Sequence, residues 1–193
     1  MTGRLDRRAA VARLLQDRGE LLVVTGLGSP SYDVMAAGDC DANYYLWAAM
    51  GSAAMVGLGL ANARPERSVL VVTGDGEAMM GLGALATIAV QKPRNLTIAV
   101  LDNGHFGETG MQASHTGLGV DIAAVAASLG FAWTGRVSDE AGVDDLRARL
   151  HAREGARLAV LAVRADNPPR VLPPRDGVHI KNRFRAALGF STI

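Results

Sequence analysis

A single cysteine, Cys40, rules out an intrachain disulfide framework in this 193-residue chain, and that fits a reducing, cytoplasmic setting. An excess of charge of one sign is missing too. Twenty Lys and Arg face nineteen Asp and Glu, a net charge of +1, which gives no support for nucleic acid or an acidic surface as a partner. No stretch approaches the roughly 20 apolar residues that a membrane helix requires. The N-terminal MTGRLDRRAAVARLL has a charge every few residues in place of the apolar centre of a signal peptide. There is no internal repeat and no low-complexity block. Proline is scarce, and four of the seven (Pro168, Pro169, Pro173 and Pro174) fall within 166–177, which predicts an extended arm there.

What the chain does have is small and apolar. Hydrophobic residues make up 49% and charged residues 20%, the balance of a soluble α/β protein with a full core. Glycine is frequent, with 23 residues, many of them just after apolar runs, where backbone must turn sharply or approach a ligand.

In order, the periodicity predicts an amphipathic helix over 4–18, with its arginines on a solvated face, stopped by Gly19. A buried strand follows at 21–24, then a glycine-rich loop at 25–30. Residues 33–45 read as irregular or weakly helical, with a possible strand at 43–45. The small-residue segment MGSAAMVGLGLANA predicts a helix over 50–62, ended by Pro65. Strands are expected at 69–73, 96–101, 131–134 and 158–163. Helices are expected at 81–90, at 122–129 behind an Asp121 N-cap, at 140–153 behind a Ser138 cap, and at 180–188. Alternation of this kind implies an α/β fold: a doubly wound, mainly parallel sheet of five to six strands flanked by helices. The whole of 1–193 is expected to form one domain, with a Pro-rich C-terminal arm from about 165.

The informative stretch is 69–110. Two apolar runs each end in polar groups: VLVV before Gly74-Asp75-Gly76, and LTIAVL before Asp102-Asn103-Gly104. Parallel neighbouring strands put both loop tips at the same sheet edge, where open α/β folds bind ligands. Asp75 and Asn103 can therefore meet across 28 positions of sequence. Two oxygen ligands beside glycine-freed backbone suit a hard cation that holds a phosphate.

This pair of loops resembles the thiamine diphosphate signature, in which GDG is followed at about this spacing by an Asn. Here 26 residues, Glu77 to Asp102, precede Asn103, and the usual Asn-Asn ending is Asp102-Asn103. The segments LWAAMGSAAMVGLGLANARPERSVLVVTGDG and DNGHFGETGMQASHTGLGVDIAAVAASLGF resemble the diphosphate-binding domain of the same family. Within the family the chain resembles sulfopyruvate decarboxylase β subunits and the C-terminal part of phosphonopyruvate decarboxylase.

The resemblance implies roles for matching positions. Mg²⁺ is expected on the side chains of Asp75 and Asn103 and on the carbonyl of His105. Gly74, Gly76 and Glu77 line the diphosphate site through their backbone, and many relatives carry Ser or Ala in place of Glu77. Met50 props thiamine diphosphate in its bent form, and the backbones of Ala48 and Met50 hold its aminopyrimidine. Gly28 and Ser29 match a loop that touches the diphosphate end. Phe106 and Gly107 begin a loop over the cofactor. Glu108 reads either as an active-site carboxylate or as a surface acid, and His115 either as a contact for an anionic substrate or as a solvent histidine.

The family's activating Glu comes from a separate pyrimidine-binding domain, and no glutamate here matches it. The resemblance therefore implies a subunit of a split 2-oxoacid decarboxylase that is inactive alone. Its partner is an α subunit carrying the pyrimidine-binding domain, its substrate a small anionic 2-oxoacid, and self-association is expected. The alternatives are a subunit of another split thiamine enzyme (a carboligase or 2-oxoacid oxidoreductase) or a non-catalytic cofactor-binding subunit. A Rossmann dinucleotide site fails, because Gly57-Leu58-Gly59 falls inside a helix and precedes its strand.

Overall fold

Valine, leucine and isoleucine crowd the four inner strands of the sheet, which are buried on both faces, the pattern of a parallel sheet covered by helices on either side. The computed structural model describes residues 4–47 and 49–191. In chain order its elements are α1 (Arg7–Leu14), β1 (Leu22–Thr25), α2 (Ser29–Ala36), β2 (Asn43–Tyr45), α3 (Ala53–Ala63), β3 (Val69–Gly74), α4 (Asp75–Met80), α5 (Gly83–Gln91) and β4 (Leu96–Asp102). There follow a small hairpin of β5 (His105–Phe106) and β6 (Gln112–Ala113), then α6 (Ile122–Ser128), β7 (Trp133–Val137), α7 (Glu140–Arg149), β8 (Arg157–Ala162) and α8 (Gly177–Ala187).

The main sheet runs β2-β1-β3-β4-β8-β7, with every pairing parallel. Alternate strand residues feed two cores. Val23, Leu70, Ala99 and Leu161 pack under α1, α2 and α7 with Leu14, Val34 and Leu146. Val24, Val71, Ile98 and Val160 pack under α3, α5 and α6 with Leu58, Ile88 and Ile122. From β1 the chain moves to β2 on one side and then to β3 on the other, so the direction of winding reverses between β1 and β3. A crevice opens at such a reversal, at the carboxyl ends of the strands.

The predicted strands are all present, including the short one at 43–45. The edges of several elements differ, for local reasons. Leu5 is not helical. It forms a parallel bridge with Val163, and Asp6 then caps α1 by accepting from Ala9 N–H at 2.8 Å. The loop expected at 25–30 is cut short by α2, which begins at Ser29 with Pro30 in its first turn; the segment from 33 is thus largely helical. Residues 75–77, expected as loop, are the first turn of α4. The long loop over 102–120 contains the β5–β6 hairpin and a 3-10 turn at 107–109. Asp121 caps α6 as expected, accepting from Ala124 N–H at 3.0 Å. The α7 cap is Asp139 rather than Ser138, and it accepts from Gly142 N–H at 2.8 Å.

Candidate functional site

A cavity of about 120 Å³ lies at the carboxyl edge of the sheet, beside the reversal between β1 and β3. The register that pairs Gly74 with Leu101 sets the next residues, Asp75 and Asp102, side by side. Asp75 and Asn103 both line the cavity, and both are buried. The two residues singled out by the sequence therefore border one cavity.

Asp75 is held from outside the stretch that carries it. Its Oδ2 accepts a short hydrogen bond from Ser114 Oγ and another, at 2.8 Å, from Thr116 Oγ1. Thr116 Oγ1 also lies 2.7 Å from Asp102 Oδ1. Burial pushes the Asp75 carboxyl above its ordinary value and the charge of Asp102 adds to the rise, while the two hydroxyls pull it down. Two neighbouring carboxylates that share a hydroxyl and have no basic side chain bonded to them match the donor chemistry of a hard divalent cation. Among the described residues no cluster of three or more His, Cys, Asp or Glu side chains could hold a metal. A cation here has to take amide or backbone oxygens as well.

Asn103 and His105 have those oxygens in a fixed frame. Asn103 Oδ1 accepts from His105 N–H at 2.9 Å, and His105 Nδ1–H donates to the Asn103 carbonyl at 2.9 Å. Arg4 Nη1 donates to the same carbonyl at 3.1 Å. Gly104, at φ +73°, makes the tight turn between them. His105 lies in the hairpin opposite Ala113, and it lines the cavity.

Gly76 sits under the ring of Phe106. A Cβ at Gly76 would lie 2.5 Å from Phe106 Cε1, so glycine is required for this close approach. Gly74, Phe106, Gly107 and Ser29 line the cavity with it. Gly28 does not, but it caps α2 at φ +77°, and a Cβ there would lie 3.1 Å from Glu108 Cγ.

Glu77 is buried and turned toward β1. Its Oε2 accepts from Thr73 Oγ1 at 2.8 Å and lies 1.5 Å from where a Cβ of Gly26 would be. Burial pushes its carboxyl up; the Thr73 hydroxyl and the backbone N–H groups of Ala53, Gly51 and Leu27 oppose the rise. Its Oε1 has no hydrogen-bond partner among the described residues. The carboxylate thus occupies the space left by Gly26.

Met50 is 42% exposed and lines the cavity from a turn that continues into Gly51 at φ +85°. A Cβ on Gly81 would lie 2.1 Å from the Gly51 carbonyl oxygen. Two glycines therefore set the height of the Met50 turn over α4. Ala48, expected beside Met50, lies outside the described residues.

Glu108 lines the cavity rim. It accepts from Arg170 Nη2 at 2.8 Å, and the Arg170 guanidinium stacks 5.6 Å from the Tyr32 ring centroid. His115 is exposed and packs edge-on against Phe106, with centroids 6.2 Å apart. It is not among the cavity's lining residues.

Sequence reasoning missed Ser114, Thr116, Arg4 and Arg7. Ser114 and Thr116 carry no spacing signal, because the fold brings them in from the loop beyond β6. Arg7 departs most from expectation. It was assigned to a solvated face, yet it is only 4% exposed and forms an ion pair with fully buried Asp33 on α2. An acid at the right height on α2 would have been the signal, but 33–45 did not read as a helix.

A doubly wound parallel sheet with a cavity at its winding reversal, bordered by Asp75 and Asn103, defines an α/β protein with a candidate ligand site at the switch point. Residues 34–163 match the family described as "Thiamine pyrophosphate enzyme, C-terminal TPP binding domain", and the chain belongs to that family. It is similar to a phosphonopyruvate decarboxylase of Streptomyces viridochromogenes, 38% identical over 189 residues that cover 95% of this chain and 46% of the relative. It is also similar to a sulfopyruvate decarboxylase subunit beta of Methanothermobacter thermautotrophicus, 40% identical over 66% of this chain and 68% of the relative. A subunit of the same name from Methanococcus maripaludis is 29% identical over 95% of this chain and 98% of its own length. The chain thus spans about half the length of the phosphonopyruvate decarboxylases that it matches. In fold it is similar to the thiamine diphosphate-dependent 4-hydroxybenzoylformate decarboxylase of Rhodococcus jostii, with TM-score 0.70 over 87% of this chain and 34% of that one, at 20% identity.

Proposed function

We propose that residues 1–193 form one diphosphate-binding domain, the β subunit of a split thiamine diphosphate-dependent 2-oxoacid decarboxylase. The observation that carries this reading is that Asp75 and Asn103 line one cavity at the switch point in a chain of this family. Relatives named as subunit beta, one of them matched over 98% of its length, support the division into two chains.

In this reading Asp75 and Asn103 hold Mg²⁺ through side-chain oxygens, and His105 holds it through its carbonyl. The N–H groups of Gly76 and Glu77, at the start of α4, receive the diphosphate. The Glu77 side chain points away toward Gly26, which removes the conflict between a carboxylate and a diphosphate. Met50 supports the bend of the cofactor. When bound, thiamine diphosphate supplies the electron sink for loss of CO₂ from a 2-oxoacid. What this chain does is bind, orient and wall off. A partner with a pyrimidine-binding domain supplies the activating glutamate, in a cytoplasmic assembly that also pairs copies of this chain. The substrate is a small 2-oxoacid with a second anionic group, as in the names of the relatives.

The test is reconstitution. The chain is purified alone and after co-expression with a candidate partner, and CO₂ release is measured on phosphonopyruvate and sulfopyruvate. Activity is expected only from the pair. Turnover by the chain alone would sink the split-site reading, and no thiamine diphosphate binding by either preparation would sink the cofactor assignment.

A further inference from the structure

Arg7 is the one Lys or Arg among the described residues that line the cavity, and its guanidinium is not fully used. Its Nε side meets Asp33 as an ion pair, while Nη1 is buried with no hydrogen-bond partner among the described residues. Arg8 lies against the same carboxylate, with Nε 3.3 Å from Asp33 Oδ1. Two cations therefore share one buried anion, and one positive charge is left over beside the cavity. Asp75 and Glu108 line the same cavity, as does Glu77, whose carboxylate turns away toward Gly26. A buried cation with an unfilled donor is costly unless a ligand fills that donor. A planar guanidinium anchored on one side offers its other edge to a tetrahedral oxyanion.

We propose that Arg7 is a phosphate ligand: anchored by Asp33, its guanidinium donates to an oxygen of the cofactor's diphosphate once the ligand displaces the contacts that enclose it, and it balances the negative charge that Mg²⁺ leaves over. This rests on the thiamine diphosphate reading above. Diphosphate carries more negative charge than one divalent cation cancels, and the cavity walls add carboxylates, so an anion site here requires a further cation. The buried ion pair is then a positioning device. It fixes the guanidinium before the ligand arrives, at a place where α1 crosses α2.

The experiment is calorimetric titration of the full chain in Mg²⁺ with three probes: thiamine diphosphate, inorganic pyrophosphate and sulfoacetate. The variants are Arg7→Gln, Arg7→Lys and the double variant Arg7→Met/Asp33→Asn, which removes the buried pair as a unit so that folding survives. In the wild type both diphosphate probes are expected to bind. Arg7→Gln and the double variant should lose about tenfold or more for both, the loss of one charge-assisted hydrogen bond, and Arg7→Lys should recover part of it. Unchanged affinity for both diphosphate probes in a folded variant overturns the proposal. Loss of sulfoacetate binding with pyrophosphate binding intact also overturns it, and gives Arg7 to a substrate oxyanion. If the wild type binds pyrophosphate through Arg7 but not thiamine diphosphate, the anion site stands and the cofactor reading fails.

Discussion

Asp75 and Thr116 stand 41 positions apart in sequence and 2.8 Å apart in space. The same hydroxyl lies 2.7 Å from Asp102, so one proton serves two carboxylates. A divalent cation would take over that task. Thr116→Val is therefore expected to cost the metal-free chain about 1.5–3 kcal/mol, the usual value for a hydrogen bond to a charged group, and to cost much less with Mg²⁺ and thiamine diphosphate present. Denaturant unfolding in the two conditions checks this. Asp75→Ala should abolish Mg²⁺-dependent binding of thiamine diphosphate in calorimetry; undiminished binding by that variant would remove Asp75 from the site.

The Gly51–Gly81 contact sets the position of the Met50 turn. Gly81→Ala would bring a methyl carbon to 2.1 Å from the Gly51 carbonyl oxygen, which is backbone and cannot swing aside. The expected cost is about 1–3 kcal/mol, with a lowered melting temperature and weaker cofactor binding together. Gly83→Ala, where nothing lies within 4 Å of the added carbon, is the control and should stay near wild type.

The α8 helix is tied to β2 by a charged network. Arg183 donates to both oxygens of Asp39 at 2.7 and 2.9 Å, and the Tyr45 hydroxyl donates to Asp39 Oδ1 at 2.9 Å. Burial raises the Asp39 carboxyl, but these hydrogen bonds outweigh it and hold the carboxyl below its ordinary value of 3.8. A carboxyl with a lowered folded value stabilises above its unfolded value and loses that contribution as pH falls through the folded one. Asp39→Asn should therefore lower the melting temperature at pH 7, and the gap to wild type should close as pH drops below about 4. An equal gap at pH 3 and pH 7 would refute the linkage.

The proline-rich segment is fastened at several points. Trp47 Nε1 donates to the Pro174 carbonyl at 2.8 Å, and Arg8 Nη2 donates to the Pro169 carbonyl at 2.8 Å. Trp47→Phe keeps the ring and removes one fastening. Trypsin cleavage after Arg170 or Arg175 is expected to speed up several-fold with little change in overall stability; unchanged cleavage would mean that this bond does not hold the segment.

The sheet was legible because its strands are apolar on both faces and end in polar tips, so each of VLVV and LTIAVL predicted both an element and the end that matters. Asp75 and Asn103 were legible for the same reason, since parallel strands force their tips to one edge. What escaped notice depends on contacts between distant segments. Ser114 and Thr116 reach Asp75 only because the β5–β6 hairpin folds back. Arg7 lies on a helix whose other arginines, Arg8 and Arg13, stay half-buried in ion pairs, and its burial is dictated by Asp33 on a helix with Pro30 in its first turn, in a stretch that looked irregular. The room that Gly26 leaves for the Glu77 carboxylate joins residues 51 positions apart and has no signal in the sequence.

The winding reversal lies between β1 and β3, and the family match begins at residue 34. Modular boundaries and ligand-site boundaries therefore do not coincide in this protein. A fragment cut to 34–163 would keep Asp75, Asn103 and His105, and so would pass any inventory of signature residues. It would lack β1, the Gly26 turn that receives Glu77, and the helix that carries Arg7. One wall of the crevice would be gone, and Glu77 would be free to swing its charge toward the proposed diphosphate site. Grafting the proposed binding site onto another scaffold thus means carrying α1 and β1 along with the signature.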